Sequence, residues 1–135
     1  MTLILCADDR NGLLFHNRRL SRDSILCDQI LQLCGSKNLW MNSYSASIFP
    51  RNTPNIRVSE NFLEEAGKGE FCFVENTDIS EVFSQVKTVV LYRWNRCYPS
   101  DEKLPEELLS GRHLVSTFDF AGNSHPCITQ EVYEL

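Results

Sequence analysis

The chain has 135 residues, 42% of them hydrophobic and 10% aromatic, and a formal net charge of −5. These values describe one globular domain over residues 1–135 with an ordinary core, and they exclude a disordered chain. The acidic balance argues against broad nucleic-acid binding, and no apolar run reaches the length needed to cross a bilayer.

The first predicted element is a buried strand over Thr2–Ala7, short, apolar and ended by Asp8-Asp9. It lacks the basic flank of a signal peptide. Asn11-Gly12 is a turn, from which Leu13–Asn17 extends. Ser21 is placed as the N-cap of a helix that runs to about Cys34, with Asp23 in its first turn complementing the helix dipole. Ile25, Leu26, Ile30, Leu33 and Cys34 fall on one broad face, Asp28 lies opposite, and Gly35 stops the helix.

Leu39-Trp40-Met41 is the second strand, and Ser43–Phe49 carries a helical turn or two. Pro50–Pro54 is loop, Asn55–Ser59 a third strand, Phe62–Ala66 a short helix and Phe71–Val74 a fourth strand. Ile79, Val82, Phe83 and Val86 recur at helical spacing after Thr77-Asp78. Thr88–Trp94 is a strand rich in β-branched and aromatic residues. Pro99–Pro105 reads as loop, and His113–Thr117 and Ile128–Tyr133 as closing strands around Ala121–Pro126. Strands alternating with helices predict a mostly parallel α/β sheet with helices on both faces, and the two closing strands predict an antiparallel C-terminal edge.

Six cysteines without a secretory context predict free thiols and a cytoplasmic protein. None forms a C-x-x-C pair, and His16, His113 and His125 show no metal-ligand spacing, so no metal is expected. Ser124-His125 with Asp119 resembles the parts of a hydrolytic triad, but adjacent Ser and His rarely face each other and no G-x-S-x-G turn accompanies them. Arg18, Arg19 and Arg22 flank a helix start, where they either gather an anion or form a solvated basic loop. Trp40, Tyr44, Tyr92 and Trp94 sit near strand ends, available to stack on a flat ligand but more commonly core.

Five segments together resemble dihydrofolate reductase over nearly the whole chain. ILCADDRNGLLFHNRRLS is similar to the first strand and the loop that covers the nicotinamide, and LSRDSILCDQILQL to the helix bearing the substrate-binding carboxylate. KNLWMNSYSASIF stands where the family reads "VIMGRKT", FCFVENTDI where it reads "VIGG" before a helix, and LVSTFDFAGNSHPCITQEVYEL resembles its closing hairpin. The resemblance implies that hydride would pass from NADPH to a pterin-like substrate, and that Asp23 would orient that substrate as the catalytic carboxylate. It also implies ligand contacts from Ala7, Leu14, Phe15, Asn42, Ser45, Glu75, Asn76 and Thr77.

The departures gather where the family holds its cofactor. Glu75-Asn76 replaces the Gly-Gly pair whose bare backbone receives a pyrophosphate, and Asn42-Ser43-Tyr44-Ser45 keeps a hydroxyl of the phosphate clamp while losing its Arg and Lys. Glu60 replaces the basic residue expected after the third strand, and Leu14-Phe15 replaces Ile-Gly. Each lost charge-assisted bond is worth roughly 1.5–3 kcal/mol, so losing two or three weakens a dinucleotide by orders of magnitude. The reading favoured here is therefore a small-ligand-binding or regulatory protein on a degenerate reductase scaffold, with no cofactor expected. The alternatives are a divergent NAD(P)H-dependent reductase and a homodimeric interaction protein joined through a sheet edge.

Overall fold

A computed structural model describes residues 1–135. The chain begins with β1 (Thr2–Ala7), then a hairpin of β2 (Gly12–Phe15) and β3 (Arg18–Arg19). Helix α1 (Ser24–Cys34), β4 (Leu39–Met41), the single-turn helix α2 (Ser43–Ala46), β5 (Ile56–Val58), α3 (Phe62–Glu65) and β6 (Phe71–Phe73) follow. A 3-10 helix (Ser80–Gln85), β7 (Thr88–Arg93), β8 (Glu102–Lys103), α4 (Glu106–Leu109), β9 (His113–Phe120) and β10 (Ile128–Glu134) complete the order.

Seven strands form the main sheet in the order β5-β4-β6-β1-β7-β10-β9. The first five are parallel, and β10 runs antiparallel to both β7 and β9, as the closing pair of strands predicts. β1 sits centrally, in register with β7 from Thr2↔Thr88 to Ala7↔Arg93. The alternation of its side chains divides the core. Leu3, Leu5 and Ala7 face the layer made by α3, the 3-10 helix and α4, while Ile4 faces α1 through Ile30 and Leu26. Helices therefore cover both faces.

Three local expectations change. Helix α1 starts at Ser24, and its N-cap is Asp23 rather than Ser21. Asp23 is extended (φ −155°), which swings its carboxylate back onto the Ile25 and Leu26 amides. The segment after Thr77 is a 3-10 helix, not an α-helix. Its apolar pairs Ile79/Val82 and Phe83/Val86 are three apart, a spacing that three residues per turn satisfies equally well. Finally, Pro99–Pro105 is not wholly loop. β8 within it joins β2 and β3 in a second, three-stranded sheet, and α4 follows directly. No helix is long and apolar enough to cross a membrane.

Candidate functional site

The C-terminal ends of β1, β4 and β6 open into a crevice, the usual ligand position of an α/β sheet. Three short segments meet there. The first is the β2–β3 hairpin, closed by His16 and Asn17 at φ 51° and 60°. That two-residue turn matches the twist of the strands and sets Arg19 opposite Leu14. The second is α2, whose first turn is capped by the Asn42 side chain accepting from the Ser45 amide. The third is the turn Val74–Asp78 between β6 and the 3-10 helix.

Glu75 joins all three. Arg19 donates to its carboxylate through Nε and Nη2, both at 2.9 Å, and the Ser45 hydroxyl donates at 2.8 Å. Arg19 is itself fixed by Tyr44: its amide donates to the Tyr44 hydroxyl, its Nη2 to the Tyr44 carbonyl, and its guanidinium lies 4.1 Å from the ring centroid. Burial disfavours the Arg19 charge, but the hydrogen bonds and field of Glu75 outweigh it and hold the guanidinium firmly protonated. Asn42 ties the same turn down, donating to Asn76 at 2.9 Å and to Thr77 at 3.3 Å. Glu60 accepts from the Ser43 amide, so the Ser43 and Ser45 amides at the start of α2 both have acceptors within the chain.

The consequence is a divided crevice. The gap between Cys6, Leu13, Arg19, Leu20, Ser21, Val74, Glu75 and Trp94 is only about 10 Å3, at the lower limit for one water. Beside it lies a hollow of about 330 Å3 bordered by Leu13, Leu14, Asn17, Glu75, Asn76, Thr77, Asp78, Glu102 and Lys103. Its rim carries three carboxylates, Glu75, Asp78 and Glu102, to the one amine of Lys103.

The structure thus gathers Leu14, Asn42, Ser45, Glu75, Asn76 and Thr77 in one place. Ala7 is buried in the core, and Phe15 is exposed, stacked on His16 and bordering a different hollow. The three arginines do not share one hollow: Arg18 and Arg19 both border the one beside Phe15, and Arg22 borders a third. Of the four aromatics near strand ends, Tyr92 and Trp94 are core.

Asp23 belongs to a second, buried cluster. Its Oδ1 accepts from Ile25, Leu26 and Asn123 amides, and its Oδ2 from the Ser124 amide and hydroxyl. Burial pushes its carboxyl up, but these bonds, led by those from Ser124 and Asn123, pull it well below the ordinary range. Ser124 and His125 do meet, contrary to the expectation for adjacent residues: Oγ lies 2.9 Å from Nδ1. The acid beside them is Asp23 rather than Asp119, which instead accepts from Thr129. This is not a triad, since serine and aspartate both lie at Nδ1 while Nε2 contacts the Tyr98 hydroxyl at 2.9 Å. His125 is also stacked on Trp94, with ring centroids 4.6 Å apart. Sequence reasoning did not find Tyr98, because nothing local to it marks a residue whose partner lies 27 positions away.

A central parallel sheet with this strand order, helices on both faces and an antiparallel closing pair is the dihydrofolate reductase fold. The chain aligns with a solved dihydrofolate reductase from Enterococcus faecalis, complexed with NADP(H) and RAB-propyl, at a TM-score of 0.69 and 13% identity. The match covers 98% of this chain and 94% of that one. No protein-family model matches the chain, and no curated protein matches it significantly. At that identity the likeness is one of fold.

Proposed function

We propose that this chain is an atypical small-ligand-binding or regulatory protein on a dihydrofolate reductase scaffold, one that does not take NADPH in the manner of that family. One observation carries the reading: the hydroxyl that survives from the phosphate clamp, Ser45, donates to the chain's own Glu75 carboxylate. A dinucleotide phosphate would have to displace that carboxylate and break its paired bonds to Arg19. The neighbouring Asp78 and Glu102 would repel it further. The divergent-reductase reading is weaker because every strong acceptor position of Asp23 is already filled by chain donors. We also read the protein as cytoplasmic, in keeping with six unpaired cysteines.

Titration with NADPH and NADH, followed by tryptophan fluorescence and melting temperature, tests this reading. The expected result is no saturable response up to millimolar cofactor. Saturation at micromolar NADPH would overturn it and make the reductase reading the leading one.

A homodimer is the second reading, favoured by the outer edge of the sheet. β9 is an eight-residue edge strand with Leu114, Val115 and Phe118 each about half exposed. Opposing it is the bulge at Val132/Tyr133, a device that discourages edge pairing. Light scattering across concentrations separates the two: a constant monomeric mass removes the dimer.

A further inference from the structure

We propose that Arg19 and Ser45, braced by Tyr44, form a carboxylate-binding site that Glu75 fills as an internal ligand, and that a small monocarboxylate enters by displacing Glu75. This rests on the reading of the crevice as a small-ligand site and names the class of ligand it takes.

The receiving half of the site does not depend on Glu75 for its shape. The Arg19 amide, Nη2 and guanidinium plane are each held by Tyr44, at 2.9, 3.1 and 4.1 Å respectively. The Ser45 backbone is held by the Asn42 cap, which leaves its hydroxyl for the incoming anion. A fork of two guanidinium N–H groups with one hydroxyl beside it receives the two oxygens of a carboxylate, and the nearby Asp78 and Glu102 disfavour a doubly charged phosphate in its place. The occupying half, in contrast, hangs from an irregular turn that lies between β6 and the 3-10 helix. Val74 before Glu75 is packed in the core, and beyond Glu75 the turn is fastened by the Asn42 contacts to Asn76 and Thr77.

Room for the rest of a ligand adjoins the fork. The hollow of about 330 Å3 that Glu75 borders has Leu5, Leu13, Leu14, Val74 and Ile79 among its lining. An apolar body can rest there, while Asp78 and Glu102 on the same rim select against a second negative charge. The fitting ligand carries one carboxylate on a small apolar group.

The test uses the full chain with Glu75→Ala, titrated with acetate and with phenylacetate against chloride at equal ionic strength. Melting temperature and tryptophan fluorescence are read together, since Trp94 borders the narrow gap beside Arg19 and Glu75. The variant is expected to melt below the parent and to recover saturably with carboxylate but not with chloride. Its affinity for phenylacetate should exceed that of the parent at least tenfold, because the parent must first give up its internal ligand. Adding Arg19→Met should abolish the response. If Glu75→Ala does not fold, Glu75→Gln keeps the side-chain volume, and a carboxylate should still outcompete its neutral amide. Absence of a saturable response in the folded variant, or a response that survives Arg19→Met, overturns the proposal. The outcome is read on monocarboxylates alone, so it is distinguishable from a failure of the NADPH titration.

Discussion

Arg19 and Glu75 are separated by 56 residues and joined by two parallel bonds of 2.9 Å, with side-chain exposures of 17% and 8%. In so dry a setting, removing one partner leaves an uncompensated charge, and Arg19→Met or Glu75→Gln is expected to cost about 3 kcal/mol. The double variant should cost less than the sum, giving a coupling of roughly 1 to 3 kcal/mol in urea denaturation. Simple additivity would mean that the pair is not a unit. Glu75 was legible in the sequence as an acid standing where a glycine would receive a phosphate. Its partner was not, because Arg19 sits in a cluster with Arg18 and Arg22 and only the hairpin turn distinguishes it. Asp23 was legible as a helix-start acid, but its five donors come partly from Asn123 and Ser124, a hundred positions on.

Among the elements, the loop between β9 and β10 locks onto the N-terminus of α1. Gly122 makes that approach possible, since a Cβ there would collide with the Asp23 carboxylate and lie 2.9 Å from the Ile128 side chain. Gly122→Ala is therefore expected to cost about 1–3 kcal/mol in urea denaturation. It should also change the fluorescence of Trp94, because His125 of the same loop stacks on it. An unchanged midpoint and spectrum would mean that the loop simply moves aside. Element identities were largely legible: a short apolar run ended by acidic residues gave β1, a β-branched and aromatic run gave β7, and one-sided apolar spacing gave α1. β8 and α4 were not, for each is stabilised by its packing and not by a pattern of its own. β8 is only two residues long and exists by pairing with β2, and α4 is one turn anchored by the buried Leu108.

The whole molecule inherits an acid sensitivity from its buried carboxylates. The Asp23 and Asp8 carboxyls are both held below their ordinary value of 3.8: burial raises each, and chain hydrogen bonds outweigh it. The folded state thus binds fewer protons than the unfolded chain as pH falls through that value. The stabilisation is complete above about pH 4 and is lost progressively toward the lowered values of the fold. Melting temperature should accordingly be flat from pH 7 to 5 and drop steeply below 4, and Asp23→Asn should blunt the drop. A melting temperature unchanged at pH 3 would contradict this account.

Hydrophobic periodicity and the order of segments by themselves determined the α/β class, the antiparallel closing edge and the resemblance to a reductase, because burial patterns along a strand or helix are local properties. The same residues carry the proposal that the crevice does not take a dinucleotide, since Glu60 and Glu75 stand where the family places a basic residue and a glycine. Only the tertiary structure decided where those charges go. Glu75 turns inward onto Arg19 and Ser45, Glu60 caps α2, and Asp23 is absorbed by the loop at Asn123–Ser124. Hydrogen-bond partners are chosen by distance in space, and the sheet order that brings β1, β4 and β6 side by side is what sets those distances.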